Sequence, residues 1–408
     1  MLDNGLTVIH QHIAATPVVV VDVWVKAGAI AEPEDWCGMA HFLEHMIFKG
    51  TNRLAPGVFD QVIENTGGVT NAATSHDYAH FFITTAAQYL EETLPALAEL
   101  LLNAAIPEEE FVRERDVVLE EIRSCYDSPD WLAFQTLTES IYQRHPYGRP
   151  ILGTEAHLMQ RSPAQMRGFH QHHYQPENMT VVIVGGVAKE AALDLVNKSF
   201  QHFCPRGDCP VEEAEAEPPL TEIRRQELYL PRLEQARLLM GWIGPGVDQL
   251  RDAYGLDLLS VLLAEGRSSR LVRDLREEQG LVQGISSGFS LQRDSSLFTI
   301  SAWLKAEHLE RVEALIRDRL SELATNSVSE AELARCQRRL CNDYAFSTEA
   351  PSQLAGLYGY YNTIATPEVA VTYPEQIQRF KASDLQQLAQ QYLSPHNYAV
   401  TVLQPSWW

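Results

Sequence analysis

The stretch HFLEHMIFKG, residues 41–50, combines apolar side chains at helical spacing with three chemically active polar groups. Residues four apart lie on one face of an α-helix, so His41 and His45 can aim their imidazole rings at one point. Glu44 is three positions after His41, on the flank of that face. The stretch therefore predicts an amphipathic helix that presents two histidines and a glutamate together.

Two histidines four apart on a helix are a bidentate ligand pair for zinc. The order His-x-x-Glu-His is the HExxH zinc motif in reverse, with the glutamate before the second histidine. In that arrangement Glu44 can reach a metal-bound water as a general base. The alternative is that the two histidines simply pack into a core. That alternative does not explain the helix-terminating residues on either side of the motif. Asp35 has the residue type of a helix N-cap, and Gly50 has that of the position after a helix.

A hydrolytic zinc takes three protein ligands and keeps one position open, so a third ligand must come from elsewhere. The acidic stretch PEEEFVRERDVVLEEIRS, residues 107–124, predicts a helix. Glu114 and Glu121 are seven apart and share one face of it, whereas Glu110 and Glu120 point away. We expect Glu121 to be the third ligand and Glu114 to orient a liganding histidine, since carboxylates often do so behind a metal-bound imidazole.

Composition narrows the class of protein. Of 408 residues, 45% are hydrophobic, enough for two or three domains with sizeable cores. The formal charge of -22 argues against a surface that binds nucleic-acid phosphates. No run approaches the ~20 apolar residues of a transmembrane helix, and the opening MLDNGLTVI has no export-signal pattern. Six cysteines in this length do not form a disulfide scaffold. We expect a soluble protein of the cytoplasm, or of an organellar matrix if a targeting segment was removed.

The organisation along the chain is that of a duplication. The stretch CPRGDCPVEEAEAEPPLTE, residues 204–222, is rich in Pro and Glu without apolar periodicity, which predicts an exposed linker. The segments before and after it repeat the same blocks: a strand, a Gly-containing turn, an apolar helix and two alternating strands. We therefore expect a zinc-binding domain at residues 1–203 and a homologous domain without metal ligands at residues 223–408.

Strands and long helices are mixed within each half. Residues 78–86 alternate with period two and predict a strand, while residues 88–105 and 107–124 have helical spacing. Strand pairs followed by helix pairs are typical of an α+β layer. The predicted fold class is α+β, with two homologous domains that each pack helices on one face of a mostly antiparallel sheet.

Five stretches carry a resemblance to a known family: HFLEHMIFKGT, ENTGGVTNAATS, ERDVVLEEI, HPYGRPILGT and YQPENMTVVIVG. Together they closely resemble the inverzincin metallopeptidases, the family of pitrilysin and of the β-subunit of mitochondrial processing peptidase. The resemblance covers essentially the whole chain, in the short two-domain form found in bacteria. It implies one zinc ion per chain on His41, His45 and Glu121, with Glu44 activating a zinc-bound water and Glu114 supporting the site.

The same resemblance implies a function. Enzymes of this type are zinc endopeptidases that hydrolyse peptides, or unfolded and targeting-type segments, inside a chamber formed by association of subunits. An extended substrate would add by backbone hydrogen bonds to an open edge strand. The residues of that strand are Gly68, Val69, Thr70, Asn71 and Ala72. The alternative is a non-catalytic scaffold subunit of a larger complex, against which the complete set of metal-site residues argues.

The second half departs from the first at the metal site. At an offset of 216 residues, the counterparts of the HxxEH residues are Asp257, Ser260 and Val261, so no second zinc site is expected. In the resembling enzymes the second half supplies an Arg and, seven residues later, a Tyr that hold the substrate. Here Arg276 is present, but Gln283 replaces the Tyr. Either Gln283 donates the hydrogen bond itself, or a related subunit supplies the intact pair, so both a homodimer and a heterodimer stay open.

Overall fold

The alternating strand patterns of both halves form two five-stranded sheets. The computed structural model describes residues 1–210, 214–231 and 233–406. Helices pack against each sheet, and the two sheets have the same strand order. The predicted α+β fold class with two homologous domains is therefore confirmed.

The first sheet is built from the first half of the chain. Its strands are β1 (Thr7–His12), β2 (Val18–Val25), β3 (Val69–Thr74), β4 (Ala79–Ala86) and β5 (Met179–Gly185). They lie in the order β1-β5-β2-β4-β3, with β1 and β5 parallel and the other neighbours antiparallel. The central strand β2 has the sequence VVVVDVWV, and β-branched side chains of this kind fit a strand that is buried on both faces. The predicted strand at residues 78–86 is β4.

The second sheet repeats this plan. Its strands are β6 (Arg224–Leu230), β7 (Ala236–Gly244), β8 (Val282–Ser290), β9 (Ser296–Leu304) and β10 (Ala399–Pro405). The order β6-β10-β7-β9-β8 matches the first sheet position by position, again with one parallel pair, β6 and β10. A shared order with a shared parallel pair is the expected result of duplication.

Helices surround both sheets. Those of the first half are α1 (Met39–Ile47), α2 (Val58–Asn65), α3 (Leu90–Asn103), α4 (Glu108–Tyr126), α5 (Pro129–Ile141), α6 (Glu155–Met159), α7 (Pro163–His173) and α8 (Lys189–Ser199). Those of the second half are α9 (Leu250–Ala264), α10 (Leu309–Thr325), α11 (Glu330–Phe346), α12 (Pro351–Ile364), α13 (Glu368–Gln378) and α14 (Ala382–Tyr392). The predicted helices at residues 88–105 and 107–124 are α3 and α4. Among the described residues, no helix has both the length and the apolar character needed to cross a membrane.

The chain folds into two units that each take a helix from the other half of the sequence. Unit 1 contains the described residues of 1–123, 149–214 and 347–370, and unit 2 contains those of 124–148, 215–346 and 371–406. Helix α12 thus belongs to unit 1, and α5 belongs to unit 2. In the predicted linker, the described residues form neither helix nor strand, and residues 211–213 lie outside the described range. The predicted boundaries at residues 203 and 223 stay a prediction.

The alternation of β2 divides unit 1 into two apolar layers. Val19, Val21 and Val23 face the main core, in which α1, α3 and α4 also bury side chains. Val20 and Trp24 face the other side of the sheet, where they pack against α12. The main core holds α1 against the sheet, and this packing fixes the direction of the polar face of α1.

Two glycines of α12 give a direct test of how closely this helix approaches the sheet. A Cβ at Gly359 would lie 2.0 Å from Nε1 of Trp24, whereas a Cβ at Gly356 would meet nothing within 4 Å. We expect Gly359→Ala to lower the free energy of unfolding by about 2 kcal/mol or more, because the buried indole cannot move aside without disturbing the core. Gly356→Ala should leave stability unchanged or raise it by up to about 1 kcal/mol, through better helix propensity. Urea unfolding of both variants measures this, and equal effects would contradict the close packing.

Candidate metal centre

Helix α1 presents the two histidines as predicted, but it begins differently. The helix follows Gly38, which has a φ of +91°, and Asp35 lies in a preceding 3₁₀ turn. The expectation that Asp35 caps the helix was therefore wrong. His41 and His45 lie on one face with ring centroids 4.8 Å apart. His41 is 8% exposed, and burial and the neighbouring His45 lower its pKa to about 4. A neutral imidazole keeps a lone pair available for a metal ion.

Helix α4 brings Glu121 to the same point. Its Oε2 is 3.5 Å from Nε2 of His45 and 3.7 Å from Nε2 of His41. In tetrahedral zinc coordination, ligand nitrogen and oxygen atoms lie about 3.4 Å apart, because each is about 2 Å from the metal. The three donors lie within 4.8 Å of one another, and they form the one such group of His, Cys, Asp or Glu side chains found in residues 1–210, 214–231 and 233–406. The donor set and its spacing therefore fit a zinc ion.

Glu114 lies behind His45, on the same face of α4 as Glu121 and about two turns before it. Its Oε1 accepts a hydrogen bond from Nδ1 of His45 at 2.9 Å, and its Oε2 is 2.6 Å from Nζ of Lys49. Glu114 is only 8% exposed. A proton held on Nδ1 leaves Nε2 as the free ligand atom, and this nitrogen is the one that faces Glu121. The contact that the sequence predicts for Glu114 is present.

Glu44 lies beside the three donors and points toward the sheet. Its Oε2 accepts a hydrogen bond from Oγ1 of Thr74 at 2.5 Å. Burial raises the pKa of Glu44, and the bond from Thr74 opposes this shift. A carboxylate with a raised pKa is a better proton acceptor near neutral pH than an exposed one. The position and the electrostatics of Glu44 suit a general base.

The predicted edge strand ends at this site. Strand β3 is the last strand of its sheet and pairs with β4 alone in the described residues. Val69, Thr70, Asn71 and Ala72 lie in β3, and Gly68 immediately precedes it. Val69 is 62% exposed, although it is a large apolar residue. The strand thus has one unpaired edge, and its last residue contacts the candidate general base.

Unit 2 contains the two residues predicted to hold the substrate. Arg276 lies in a π-helical segment, Val272–Glu278, where its Nη2 is 2.6 Å from Oε1 of Glu277. Gln283 is exposed and occupies the irregularity in the pairing of β8 between residues 282 and 284. Both π-helical turns and β-bulges are frequent at functional sites. Their role in binding substrate stays a prediction.

The counterpart of the metal site in unit 2 carries different side chains. Asp257 on α9 accepts a hydrogen bond from Oη of Tyr373 at 2.7 Å, and Val261 is fully buried. Burial raises the pKa of Asp257 to about 6, and the bond from Tyr373 opposes this shift. Oγ of Ser260 donates to the carbonyl oxygen of Asp257 at 2.8 Å. Ser260, the counterpart of Glu44, therefore uses its hydroxyl within its own helix.

Three contacts of the site were not predicted from the sequence. Lys49 binds Glu114, Thr74 binds Glu44, and Glu32 accepts hydrogen bonds from the first turn of α1. The sequence could have suggested Lys49, because its spacing of four from His45 predicts one shared helical face, although α1 ends at Ile47. No such signal pointed to Thr74 or Glu32, since their partners come from different elements.

Comparisons with known proteins agree with this architecture. Residues 7–155 match the model of Insulinase (Peptidase family M16), and residues 162–340 match that of the Peptidase M16 inactive domain. Zinc protease PqqE of Helicobacter pylori is 30% identical over 99% of this chain and 92% of its own length. Uncharacterized zinc protease YmxG of Bacillus subtilis is 27% identical over 99% and 97% of the two chains. The chain therefore belongs to peptidase family M16.

Solved structures agree as well. The crystal structure of a protease from Helicobacter pylori has a TM-score of 0.91 at 30% identity, covering 99% of this chain and 98% of that chain. Pitrilysin has a TM-score of 0.83 at 20% identity, with 99% of this chain covered and 44% of pitrilysin. The likeness to pitrilysin shows a shared fold. The resemblance proposed from the sequence motifs is confirmed at the level of the family.

The contact between Glu114 and His45 leads to a prediction about zinc affinity. Glu114→Ala should weaken zinc binding about tenfold to a hundredfold, because His45 loses the acceptor that orients its ring. Glu110→Ala is the matched control, since Glu110 lies one turn earlier on α4 and binds Arg113 at the surface. Competition with a chromophoric chelator measures both affinities. A Glu114 variant with wild-type affinity would show that the contact does not support the site.

Asp257 leads to a prediction about stability and pH. Its pKa is raised in the folded chain, so folding favours the protonated form, and the free energy of unfolding falls as pH rises from about 4 to about 6. Asp257→Asn removes this cost while keeping an acceptor for Tyr373. The variant should be more stable than the wild type by about 1 to 3 kcal/mol at pH 8, and by much less at pH 4.

Urea unfolding at both pH values measures this difference. The control is Asp318→Asn at an exposed position, which should change the free energy of unfolding by less than about 0.5 kcal/mol at either pH. A stability gain that does not depend on pH would contradict the assignment.

Proposed function

We propose that this chain is a zinc-dependent endopeptidase of the HxxEH type that hydrolyses extended peptides. One observation carries the proposal: two imidazole nitrogens and the carboxylate of Glu121 converge at ligand spacing, with Glu44 beside them. Structural zinc sites use four protein ligands, whereas three protein ligands with an adjacent carboxylate are typical of hydrolytic sites. Two relatives that align with 99% of this chain are named zinc proteases, and these names support the same chemistry.

Each residue of the site would have a separate role in hydrolysis. His41, His45 and Glu121 would hold the ion, which would supply Lewis acidity toward a water molecule and the scissile carbonyl. Glu44 would accept the proton of the attacking water and return it to the leaving amine. Thr74 would keep the carboxylate of Glu44 turned toward the edge strand, and Glu114 would keep Nε2 of His45 turned toward the ion.

The open edge of β3 supports an extended substrate. Peptide binding by strand addition uses main-chain hydrogen bonds and so depends little on sequence. Since Thr74 ends β3 and binds Glu44, a peptide paired with β3 would pass the catalytic carboxylate. The formal charge of -22 would favour basic segments over acidic ones. We further propose that hydrolysis takes place in a chamber formed by association of two subunits, either identical or related.

Substitutions of three glutamates, Glu44 on α1 and Glu120 and Glu121 on α4, test the proposal together. Glu44→Gln should retain one zinc per chain and lose about two to four powers of ten in peptide hydrolysis, because only the proton acceptor is removed. Glu121→Gln should lose zinc as well as activity, because an amide is a much weaker ligand than a carboxylate. Its neighbour Glu120 is exposed and bound to Arg123, so Glu120→Gln should behave like the wild type.

The measurements are zinc content of the purified protein and cleavage of a quenched fluorescent peptide. Cleavage is measured for the chain alone and together with a related subunit. Undiminished activity in Glu44→Gln, or a wild type that binds no zinc, would overturn the proposal. A wild type that binds zinc but cleaves no peptide in either arrangement would favour the scaffold function instead.

A further inference from the structure

The first turn of α1 has no capping side chain of its own. Its N-cap residue is Gly38, which has no side-chain acceptor. The first N–H groups of a helix find no partner within the helix, and a helix end without a cap is less stable. His41 is the third residue of α1 and lies in this turn. The position of His41 therefore depends on the group that accepts hydrogen bonds from the start of the helix.

Glu32 supplies that acceptor from outside the helix. Its Oε2 accepts a hydrogen bond from the N–H of Gly38 at 2.9 Å, and its Oε1 accepts one from the N–H of Ala40 at 2.6 Å. Glu32 is 2% exposed, and burial raises the pKa of its carboxyl to about 8 while the two N–H donors oppose this shift. A carboxylate at this end of a helix also lies at the positive pole of the helix dipole. The side chain of Glu32 therefore satisfies two N–H groups at the N-terminus of α1 from a buried position.

The segment that carries Glu32 is attached to the turn between β3 and β4. The N–H of Ala29 donates to the carbonyl oxygen of Ser75 at 3.0 Å, and the next N–H along the chain bonds to the same turn at 2.9 Å. A Cβ at Gly28 would be 2.3 Å from the carbonyl oxygen of Ser75, so this segment approaches the turn as closely as a backbone can. Glu32 is thus tied to the hairpin that forms the open edge of the sheet.

The same hairpin holds α1 at a second point. Thr74, at the end of β3, donates a hydrogen bond to Glu44 in the middle of α1. Glu32 holds the start of the helix and Thr74 holds its middle. Hydrogen bonds at two points of this nine-residue helix limit both its rotation and its shift along the strand. These hydrogen bonds therefore add to the apolar packing of α1 in holding the metal-binding helix against the edge strand.

We propose that Glu32 is a positioning residue of the metal centre, which caps α1 and holds His41 in place relative to the open edge of β3. The inference rests on the zinc site proposed above. Glu32 contacts the backbone of α1 and no ligand atom, so it acts through the start of the helix.

The zinc affinities of two Glu32 variants test this inference. Glu32→Ala removes both acceptors and should weaken zinc binding about tenfold to a hundredfold. Glu32→Gln keeps the size of the side chain, but it turns an NH₂ group toward one of the two N–H donors, so an intermediate loss is expected. Affinities come from competition with a chromophoric chelator, and the melting temperature of the metal-free protein is recorded for each variant. If Glu32→Ala does not fold, Glu32→Gln decides the result.

Val196→Ala controls for a general loss of stability. Val196 is fully buried on α8, which packs against α3 and β1 in the same core. This variant should lower the melting temperature and leave zinc affinity within about twofold of the wild type. Wild-type affinity in the decisive Glu32 variant would overturn the inference, and so would an equal loss in Val196→Ala at a comparable melting temperature. A wild type that binds no zinc would instead overturn the zinc site itself and the inference with it.

Discussion

The contact between Phe42 on α1 and Phe111 on α4 determines how close the two metal-binding helices can come. The two rings have centroids 4.6 Å apart, and both residues are almost fully buried. Large aromatic side chains in a close-packed core allow little sliding of the helices. Because the next face of α1 carries the histidines and the following turns of α4 carry Glu114 and Glu121, this apolar contact sets the spacing of the polar groups.

Burial of α1 has a second consequence. Met39, Leu43, Met46 and Ile47 are fully buried, so the helix cannot rotate without exposing apolar surface. The polar face that remains is narrow and lies against α4 and the end of β3. Polar groups held in this way stay in place before any ligand binds, which is the condition for tight and selective metal binding. As a result, the imidazole of His41 is neutral and mostly buried, since burial lowers its pKa.

The two units show how one fold carries two kinds of interior. Their sheets have the same strand order, yet the counterpart of His41 is a carboxyl that accepts a hydrogen bond from a tyrosine. The pKa of Asp257 is raised to about 6, because burial disfavours the charged form of the carboxyl. The shared fold therefore depends on the apolar pattern of strands and helices, while the chemistry of each unit depends on a few polar positions.

The sequence by itself determined the local features: the helical face shared by His41 and His45, the face shared by Glu114 and Glu121, and the duplicated α+β plan. These follow from periodicity and repetition, which are properties of the chain and need no partner. Only the tertiary structure decided that Glu32 and not Asp35 caps α1, that Thr74 binds Glu44, and that α12 packs in unit 1. Glu32 lies outside the helix that it caps, and the other two contacts join segments far apart in the chain, so they depend on which surfaces the whole core buries.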